Sequence, residues 1–261
     1  MKISEVLGYE AIDIHSHLDH GVDGDRITLV APDQRTMHRC ELDFLKNGYD
    51  RVGICCGAFS TFSSLSKSER LIIENEYVHQ LALENDWVYQ WVALDPQQDE
   101  SFAQAERMIV HDKVLGIKIH PWHGYNILEW GDKIFSFADE LGATVLMHNV
   151  DVPRMPDFAN KYRNMKLIIA HIGSEDHIDA IANAKYGNIY VDTSGGASNL
   201  NNIIERAVER VGADNILFGT DTYSPAFQMG RIAWAGIGED DKRKILRENA
   251  KRLFCKAFER F

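Results

Sequence analysis

A polar cluster follows a short apolar run near the start of the chain, and its residue types suit metal chemistry. The cluster reads Asp13-Ile14-His15-Ser16-His17. Successive side chains of a β-strand alternate between faces, so His15 and His17 would point the same way, about 6 to 7 Å apart along the strand. Two imidazoles placed in this way can hold one metal ion. If the strand is the first of a β/α barrel, the pair lies at the open mouth, where catalytic groups gather.

Four further apolar runs end in the same kinds of side chain, namely His120, His148, His171 and Asp221. Imidazole and carboxylate groups are good ligands for Zn²⁺ and related ions, and a catalytic metal site leaves one position for water, which can be hydroxide near neutral pH. Asp221 could take the proton of that water, while His171 could orient substrate or protonate a leaving group. A single histidine at a strand end is commonly a surface residue, so the shared position of the set is what indicates a site.

These residues belong to eight β-rich runs, each followed by polar residues and then by a segment with helical spacing, a rhythm that predicts parallel β/α units. The predicted strands are Ala11–His17, Arg51–Gly57, Val88–Asp95, Val114–His120, Thr144–Asn149, Lys166–Ile172, Ile189–Thr193 and Ile216–Asp221. The predicted helices, with apolar residues three and four apart, are Ser68–Asp86, Ser101–Asp112, Trp130–Leu141, Ile178–Tyr186, Asn199–Val211 and Asp240–Phe258.

Eight such units can close into a barrel or form an open doubly wound sheet, which binds its ligand at a switch point between strands. Polar residues end nearly all of the predicted strands, as expected when every strand end faces one shared mouth. We therefore predict an α/β fold of the (β/α)8 TIM-barrel type, with a metal site at the C-terminal mouth of the strands. The 261 residues match the roughly 250 of a typical barrel, so one domain over residues 1–261 is expected.

Composition narrows the class of partner. The formal charge of −11, from 28 basic and 39 acidic residues, disfavours nucleic acid and anionic membranes. A small-molecule substrate is expected instead, and a homodimer is left open. The chain has no stretch of about 20 apolar residues and no basic start followed by an apolar segment, so we expect a cytoplasmic protein. Its four cysteines are then expected to be reduced.

The order of these motifs resembles the amidohydrolase superfamily of metal-dependent barrel enzymes, and most of all the group that includes aminocarboxymuconate-semialdehyde decarboxylase. The residues that carry the resemblance are Ile12–His17, Gly116–Pro121, His148, Ala170–Gly173, Ile216–Asp221 and the closing segment Asn249–Phe254. The resemblance covers the whole chain and is specific for the superfamily rather than for a substrate. Residues 222–224 differ from the Asp-Tyr-Pro or Asp-Trp-Pro ending that is frequent in this group, so no substrate is carried over.

The resemblance implies that His15, His17, His148 and Asp221 bind one divalent metal ion, zinc first and manganese second. It also implies that Asp221 acts as the base and His171 as a catalytic histidine outside the ligand set. In some relatives the strand-six histidine is itself a ligand, and binuclear relatives bridge two ions with a carboxylated lysine on strand four. Lys118 shares a face with His120, so a second ion stays open. We adopt one ion, with Lys118 and His120 lining the substrate pocket.

Loop residues could complete that pocket. Trp122 and His123 follow strand four and are expected to overhang the mouth and contact substrate, although Trp122 could equally cover apolar surface. Arg154, after strand five, is nominated to bind a substrate carboxylate. The segment Gly57–Ser64 suits a mobile rim loop, and the segment Val191–Gly196 suits a plain turn.

Three functions are compatible with these residues. The leading hypothesis is a hydrolase that attacks a small amide, lactone or ester with metal-activated water. The second is a metal-dependent non-oxidative decarboxylase of a small carboxylic acid, in which the same site polarises substrate or delivers a proton to carbon. The third is a barrel that binds metal or ligand without catalysis, which is disfavoured because a structural metal site has a closed shell of ligands.

Overall fold

The eight β-rich runs pair in sequence order as parallel strands, and the (β/α)8 TIM barrel is confirmed. The computed structural model describes residues 2–20 and 38–261. Its strands are β1 Ala11–Leu18, β2 Ile54–Thr61, β3 Val88–Ala93, β4 Val114–Ile119, β5 Thr144–Met147, β6 Lys166–Ile169, β7 Ile189–Asp192 and β8 Ile216–Leu217. The backbone N–H groups of Ile14 and Thr220 donate to the carbonyl groups of Phe218 and His15. These bonds join β1 to the β8 segment and close the sheet.

Helices follow the strands and cover the barrel from outside. Those that correspond to predicted helices are Leu71–Glu84, Asp99–Ile109, Ile127–Leu141, Glu175–Asn183, Ile203–Val211 and the series Glu239–Arg243, Lys244–Glu248 and Asn249–Leu253. Their ends follow local chemistry: before Ile127–Leu141, the Asn126 side chain accepts a hydrogen bond from the Leu128 N–H, and Gly142 ends the helix in the left-handed conformation. No helix in the described part of the chain is long and apolar enough to cross a membrane.

The predicted bounds of the second strand were wrong. β2 covers Ile54–Thr61, because Leu42–Val52 is a helix that the sequence analysis did not identify and Gly53 ends it at φ +90°. The segment Gly57–Ser64 is therefore not a mobile rim loop. It forms the end of β2 and the start of the helix Phe62–Ser66, and its side chains are buried. Helices that no prediction covered also include Ile3–Leu7, Met155–Lys161 and Pro225–Ala233.

Two apolar layers hold the barrel together. The outer layer lies between the strands and the helices and includes Val92, Ile117 and Ile169. The inner layer fills the barrel with Ile14, Trp91, Leu146, Ile168 and Leu217. Phe254 and Phe258, from the C-terminal segment, belong to the inner layer and close the barrel at the end opposite the site. The inner layer leaves the C-terminal ends of the strands for the polar side chains that end the predicted strands.

Candidate metal centre and active site

Alternation along the strands brings some of the predicted residues into the mouth directly. On β4, Ile117 and Ile119 face the outer layer, so Lys118 and then His120 face inward. On β5, Val145 and Met147 likewise face outward, and the next residue in the alternation is His148. For His148 the period of two that is expected of a strand is sufficient. Lys118 and His120 follow that period only from Ile117 onward, because the register of β4 against β3 shifts between Val114 and Gly116.

The two histidines of β1 face the mouth because this strand contains an irregularity. Ile12 and Ile14 pack in the inner layer, while Asp13 faces outward and accepts a hydrogen bond from the Tyr49 hydroxyl. Strict alternation would send His15 outward with Asp13. The register of β1 against β2 shifts between Asp13 and Ser16, however, and such irregularities re-aim side chains. His15 and His17 then share the mouth, as predicted, with their ring centroids 5.2 Å apart.

Two further residues reach the mouth through unusual backbone conformations. His171 and Asp221 have φ angles of +62° and +53°, in the left-handed region that non-glycine residues rarely adopt. Ile169 faces the outer layer, so regular alternation would also place His171 outside. Backbone strain of this kind costs about 1–3 kcal/mol and is concentrated at functional sites. At Gly219 a Cβ atom would lie 2.9 Å from the Cβ of His15, so glycine allows this close approach.

Three of the predicted ligands converge on one another. The Nε2 atoms of His17 and His15 lie 3.1 and 3.8 Å from Oδ1 of Asp221. Donor atoms of His15, His17 and Asp221 all lie within 4.8 Å of one another, and all three side chains are buried. Two imidazole nitrogens and a carboxylate oxygen form a donor set that suits a divalent ion such as Zn²⁺.

Outer hydrogen bonds orient these imidazoles. Nδ1 of His15 lies 2.8 Å from Oδ2 of Asp192, and Nδ1 of His17 lies 3.1 Å from the Ser60 hydroxyl oxygen. Histidine ligands of metals usually donate the N–H of the second ring nitrogen to such a group, which leaves the first nitrogen for the ion. The residues present therefore fit a divalent metal ion whose histidine ligands bind through Nε2.

The charges around Asp221 keep it ionised. Burial favours the neutral acid, but the contacts with the imidazoles of His17, His171 and His15 outweigh it and hold the pKa of Asp221 well below its ordinary value. Its second oxygen lies 3.9 Å from Nε2 of His171. Asp221 thus faces the predicted ligands with one oxygen and the predicted catalytic histidine with the other.

His148 lies in the same cluster of histidines but farther from the converging donors. Its ring centroid is 5.1 Å from that of His171 and 4.3 Å from that of His120. Among the described residues it belongs to no group of three donors within 4.8 Å. Burial and the neighbouring His171 lower the pKa of His148 to about 3, so it is neutral. Its role as a fourth ligand stays a prediction.

Lys118 lies at the bottom of the mouth against a predicted ligand. Its Nζ is 2.9 Å from Nε2 of His15, and the side chain is buried. Burial lowers the pKa of Lys118 to about 8, although Asp221 and Asp192 favour the charged form. A lysine in this position can meet substrate and also compete with a metal ion for the His15 lone pair.

The loop residues occupy different places. Trp122 is 40% exposed and its ring packs over His120 with centroids 4.1 Å apart, so it borders the mouth. His123 is buried and its Nε2 lies 2.9 Å from the Ser64 carbonyl oxygen, so it connects the segment after β4 to the helix Phe62–Ser66. The Arg154 side chain is 62% exposed and pairs with Asp157. Substrate contact by His123 and Arg154 gains no support from these positions.

A cavity of about 270 Å³ adjoins His120. It lies between the segments that follow β4 and β5, and Ile119, Tyr125, Ile127 and Met147 make much of its lining apolar. His120 thus faces both this cavity and His148. Burial, His148 and Lys118 keep the pKa of His120 far below its ordinary value, so it is a neutral group.

Sequence reasoning missed two residues of the site. Asp192 and Ser194, in the segment predicted as a plain turn, contact both His15 and His171. A signal was present, because Asp192 ends the apolar run Ile189–Val191 just as His120 and His148 end theirs. Phe62 was also assigned no contact, yet its ring packs against His17 at 4.6 Å.

Comparison with known proteins agrees with this arrangement. The family model for amidohydrolases matches residues 12–255, which include all of the eight strands except Ala11, the first residue of β1. The chain belongs to the amidohydrolase family. The resemblance predicted from the motifs is therefore confirmed at the level of the family. No curated protein matches the chain significantly.

Solved structures share the fold over nearly their whole length. A dihydroxybenzoic acid decarboxylase from Polaromonas, with bound manganese and 2-nitroresorcinol, is 16% identical with a TM-score of 0.73, covering 95% of this chain and 97% of its own. A 5-carboxyvanillate decarboxylase from Novosphingobium aromaticivorans with manganese is 14% identical, with a TM-score of 0.74 and coverage of 97% and 98%. A protein from Pseudomonas putida assigned as a 2-pyrone-4,6-dicarboxylic acid hydrolase is 15% identical, with a TM-score of 0.67 and coverage of 95% and 98%.

Proposed function

We propose that this amidohydrolase-family protein is a metal-dependent hydrolase of a small amide, lactone or ester. The observation that carries the proposal is the convergence of His15, His17 and Asp221 at the C-terminal mouth, with His171 on the other side of the same carboxylate. Two strained residues and one strand irregularity aim these groups, which is unexpected for residues that only stabilise the fold.

The donor set would hold one divalent ion. His15, His17 and Asp221 are the proposed ligands, with His148 as the fourth. Nitrogen-rich sites suit zinc, and manganese is the second choice because two of the similar structures contain it. When bound, such an ion polarises carbonyl groups and makes water a stronger acid.

The protein's own side chains then transfer protons and orient the substrate. Asp221 is ionised and accepts a proton from the attacking water; that proton then passes to the neighbouring Nε2 of His171, which gives it to the leaving group. Lys118 and His120 border the reacting centre and orient the substrate's polar atoms. His120 connects the site to the 270 Å³ cavity, and Phe62 and Trp122 limit access of bulk water.

Replacing the Asp221 carboxylate by an amide tests the proposed hydrolase function. We expect Asp221→Asn to lower hydrolysis about 100- to 10,000-fold, since general acid–base groups contribute that much. His171→Asn should lose turnover but keep the bound metal, because His171 lies outside the proposed ligand set. Each protein is stripped with a chelator, reloaded with Zn²⁺ or Mn²⁺, checked by elemental analysis, and assayed on panels of amides, lactones and esters.

The matched control is Asp99→Asn, which removes a carboxylate that is 94% exposed and pairs with Lys133. It should retain full activity. Wild-type protein that binds neither ion after reloading would contradict the proposal. Two bound ions per chain would instead support the alternative in which Lys118 is carboxylated.

A second candidate is a metal-dependent non-oxidative decarboxylase. Two of the similar structures are described as decarboxylases of aromatic acids, and the Lys118 side chain offers a cation for a carboxylate. Isotopes separate the two reactions. Hydrolysis in H₂¹⁸O places ¹⁸O in a product, whereas decarboxylation of aromatic or enoic carboxylates in D₂O releases CO₂ and places deuterium on carbon.

A further inference from the structure

Asp192 receives hydrogen bonds from three residues, and these donors divide unequally between its oxygens. Oδ1 accepts from the backbone N–H of His171 at 3.1 Å, from the backbone N–H of Ser194 at 2.9 Å and from the Ser194 hydroxyl. Oδ2 faces Nδ1 of His15 at 2.8 Å. Asp192 is fully buried, and both of its oxygens face hydrogen-bond donors.

The Ser194 hydroxyl has one hydrogen, which it donates to the Asp192 carboxylate. Oδ1 already accepts from two backbone N–H groups, so it is an acceptor and the hydroxyl donates to it. The same hydroxyl oxygen lies 2.9 Å from Nδ1 of His171 and 3.0 Å from Nδ1 of His15. It can only accept from both rings. The Ser194 carbonyl oxygen, 3.2 Å from Nδ1 of His171, is a further acceptor on the same side.

These donors and acceptors therefore determine the tautomer of both imidazole rings, His15 and His171. Nδ1 of His15 and Nδ1 of His171 must each carry a hydrogen, and each Nε2 then carries the lone pair. Those two Nε2 atoms lie 3.8 and 3.9 Å from the two oxygens of Asp221. The second group of donors in the described residues, His15, His171 and Asp192, is thus a hydrogen-bonded network and not a second ion site.

We propose that Asp192 and Ser194 are positioning residues that lock His15 and His171 in the Nδ1–H tautomer, so that one imidazole presents Nε2 to the metal ion and the other presents Nε2 to the substrate. This inference rests on the proposed function for the roles of the two histidines. It links a metal ligand on β1 to the proposed acid–base histidine after β6 through one carboxylate after β7.

Asp192→Asn tests the lock, because an amide has one acceptor and one donor end. Three hydrogen-bond donors face the Oδ1 position, so the amide oxygen should occupy it and the NH₂ group should face Nδ1 of His15. His15 must then accept at Nδ1 and carry its hydrogen on Nε2. We expect Zn²⁺ affinity to fall about 10- to 100-fold, as is usual when an outer hydrogen bond of a histidine ligand is lost.

The tautomers are read directly by NMR of ¹⁵N-histidine-labelled, chelator-treated protein at mildly alkaline pH, with His15→Asn and His171→Asn spectra for assignment. Protonated and unprotonated ring nitrogens resonate in separate regions. In wild type, His15 and His171 should both show Nδ1–H. In Asp192→Asn, His15 should show Nε2–H. An unchanged His15 tautomer with unchanged Zn²⁺ affinity would overturn the assignment.

Ser194→Ala is the second variant and removes the hydroxyl that bridges the two rings and bonds Oδ1 of Asp192, while both backbone N–H bonds to Oδ1 remain. His15 should keep Nδ1–H through Asp192, while His171 should populate both tautomers because the Ser194 carbonyl is its one remaining acceptor there. If His171 keeps a single Nδ1–H form, Ser194 is not a positioning residue.

The controls remove matched groups that touch neither ring. Ser198→Ala deletes a buried hydroxyl of the same segment, which bonds the Thr193 and Gly195 carbonyls. Asp95→Asn changes a buried carboxylate bonded by Ser68. Both should leave the two tautomers unchanged. Because the NMR readout needs no substrate, absence of hydrolysis in wild type would count against the proposed function and leave this inference standing.

Discussion

Burial favours the neutral form of the two histidines on β1. It lowers the pKa of His15 to about 3, with the Lys118 cation acting in the same direction against Asp192 and Asp221. It also lowers the pKa of His17, where Asp221 opposes the shift. A neutral imidazole is the form that binds a metal ion, so these rings do not have to lose a proton near neutral pH before binding.

Buried neutral histidines also make the fold sensitive to acid, and His123 shows this away from the ligands. Burial lowers its pKa, although Asp95 and the Ser64 carbonyl favour the charged form. In the unfolded chain a histidine titrates near pH 6.5. Above that pH both states are neutral; below it the unfolded state binds a proton that the folded state does not, so stability falls as the pH drops toward the folded pKa.

We therefore predict that His123→Gln flattens the pH dependence of stability. Glutamine keeps an N–H donor for the Ser64 carbonyl but does not titrate. Between about pH 7 and about pH 5, the free energy of unfolding should fall less steeply in the variant, by up to about 1.4 kcal/mol per pH unit for one proton. Urea unfolding at several pH values measures this. The control His111→Gln changes an exposed histidine, and an equal flattening there would contradict the explanation.

At the scale of elements, Asp13 connects β1 to two neighbours. It accepts hydrogen bonds from the Thr220 hydroxyl at 2.5 Å, from the Thr220 N–H at 3.1 Å, and from the Tyr49 hydroxyl on the helix Leu42–Val52. It also accepts from the backbone N–H of His15 at 3.0 Å. One carboxylate thus holds the strand that carries His15 and His17 against the segment that carries Asp221.

We predict that Tyr49→Phe lowers the free energy of unfolding by about 1–3 kcal/mol, because it leaves a buried acceptor with one donor fewer. Zn²⁺ affinity should fall as well, since Asp13 positions ligands on two elements. Urea unfolding and Zn²⁺ titration measure the two effects. Tyr9→Phe is the control, because the Tyr9 hydroxyl has no hydrogen-bond partner among the described residues. A similar loss in both variants would show that the Asp13 bond contributes nothing.

The elements that the sequence predicts well are those with regular periodicity. All eight strands and the six long helical segments follow from apolar spacing, and His148 reaches the mouth by simple alternation. Lys118 and His120 do so only after the register shift at the start of β4. The register shift of β1 and the positive φ angles of His171 and Asp221 cannot be derived from that spacing, because neighbouring elements impose them. Hence the sequence indicates which residues form the site, whereas their mutual orientation requires the structure.

The missed helix before β2 has a related cause. Leu45, Tyr49 and Val52 have helical spacing and are buried, but Arg51–Gly57 was assigned to a strand because of its apolar residues. Gly53, which ends the helix at φ +90°, separates the two elements. Glycine is common directly after the last residue of a helix. If Gly53 is read in this way, the predicted strand begins at Ile54 instead of Arg51, three residues later.

At the scale of the molecule, the two ends of the barrel have different tasks. The strand C-termini carry the polar site, while the opposite end is closed by aromatic residues of the C-terminal segment. Phe258 is 1% exposed, with its ring centroid 4.8 Å from that of Tyr89. Phe254 packs on Trp91 with centroids 5.8 Å apart. The inner layer, which includes Trp91 and Leu146, separates this closure from the donor atoms.

Because the closure and the site are separate, we predict that Phe258→Ala reduces stability without changing the metal site. Truncating a buried phenylalanine costs about 3–5 kcal/mol, through lost burial and the cavity that remains. The folded variant should bind Zn²⁺ with wild-type affinity, since no donor or outer hydrogen bond is altered. Urea unfolding and Zn²⁺ titration at low temperature test both parts. Phe227→Ala, at a residue that is 55% exposed, should leave stability nearly unchanged. If Phe258→Ala weakens Zn²⁺ binding while the protein is fully folded, the two ends are coupled and this division of tasks is wrong.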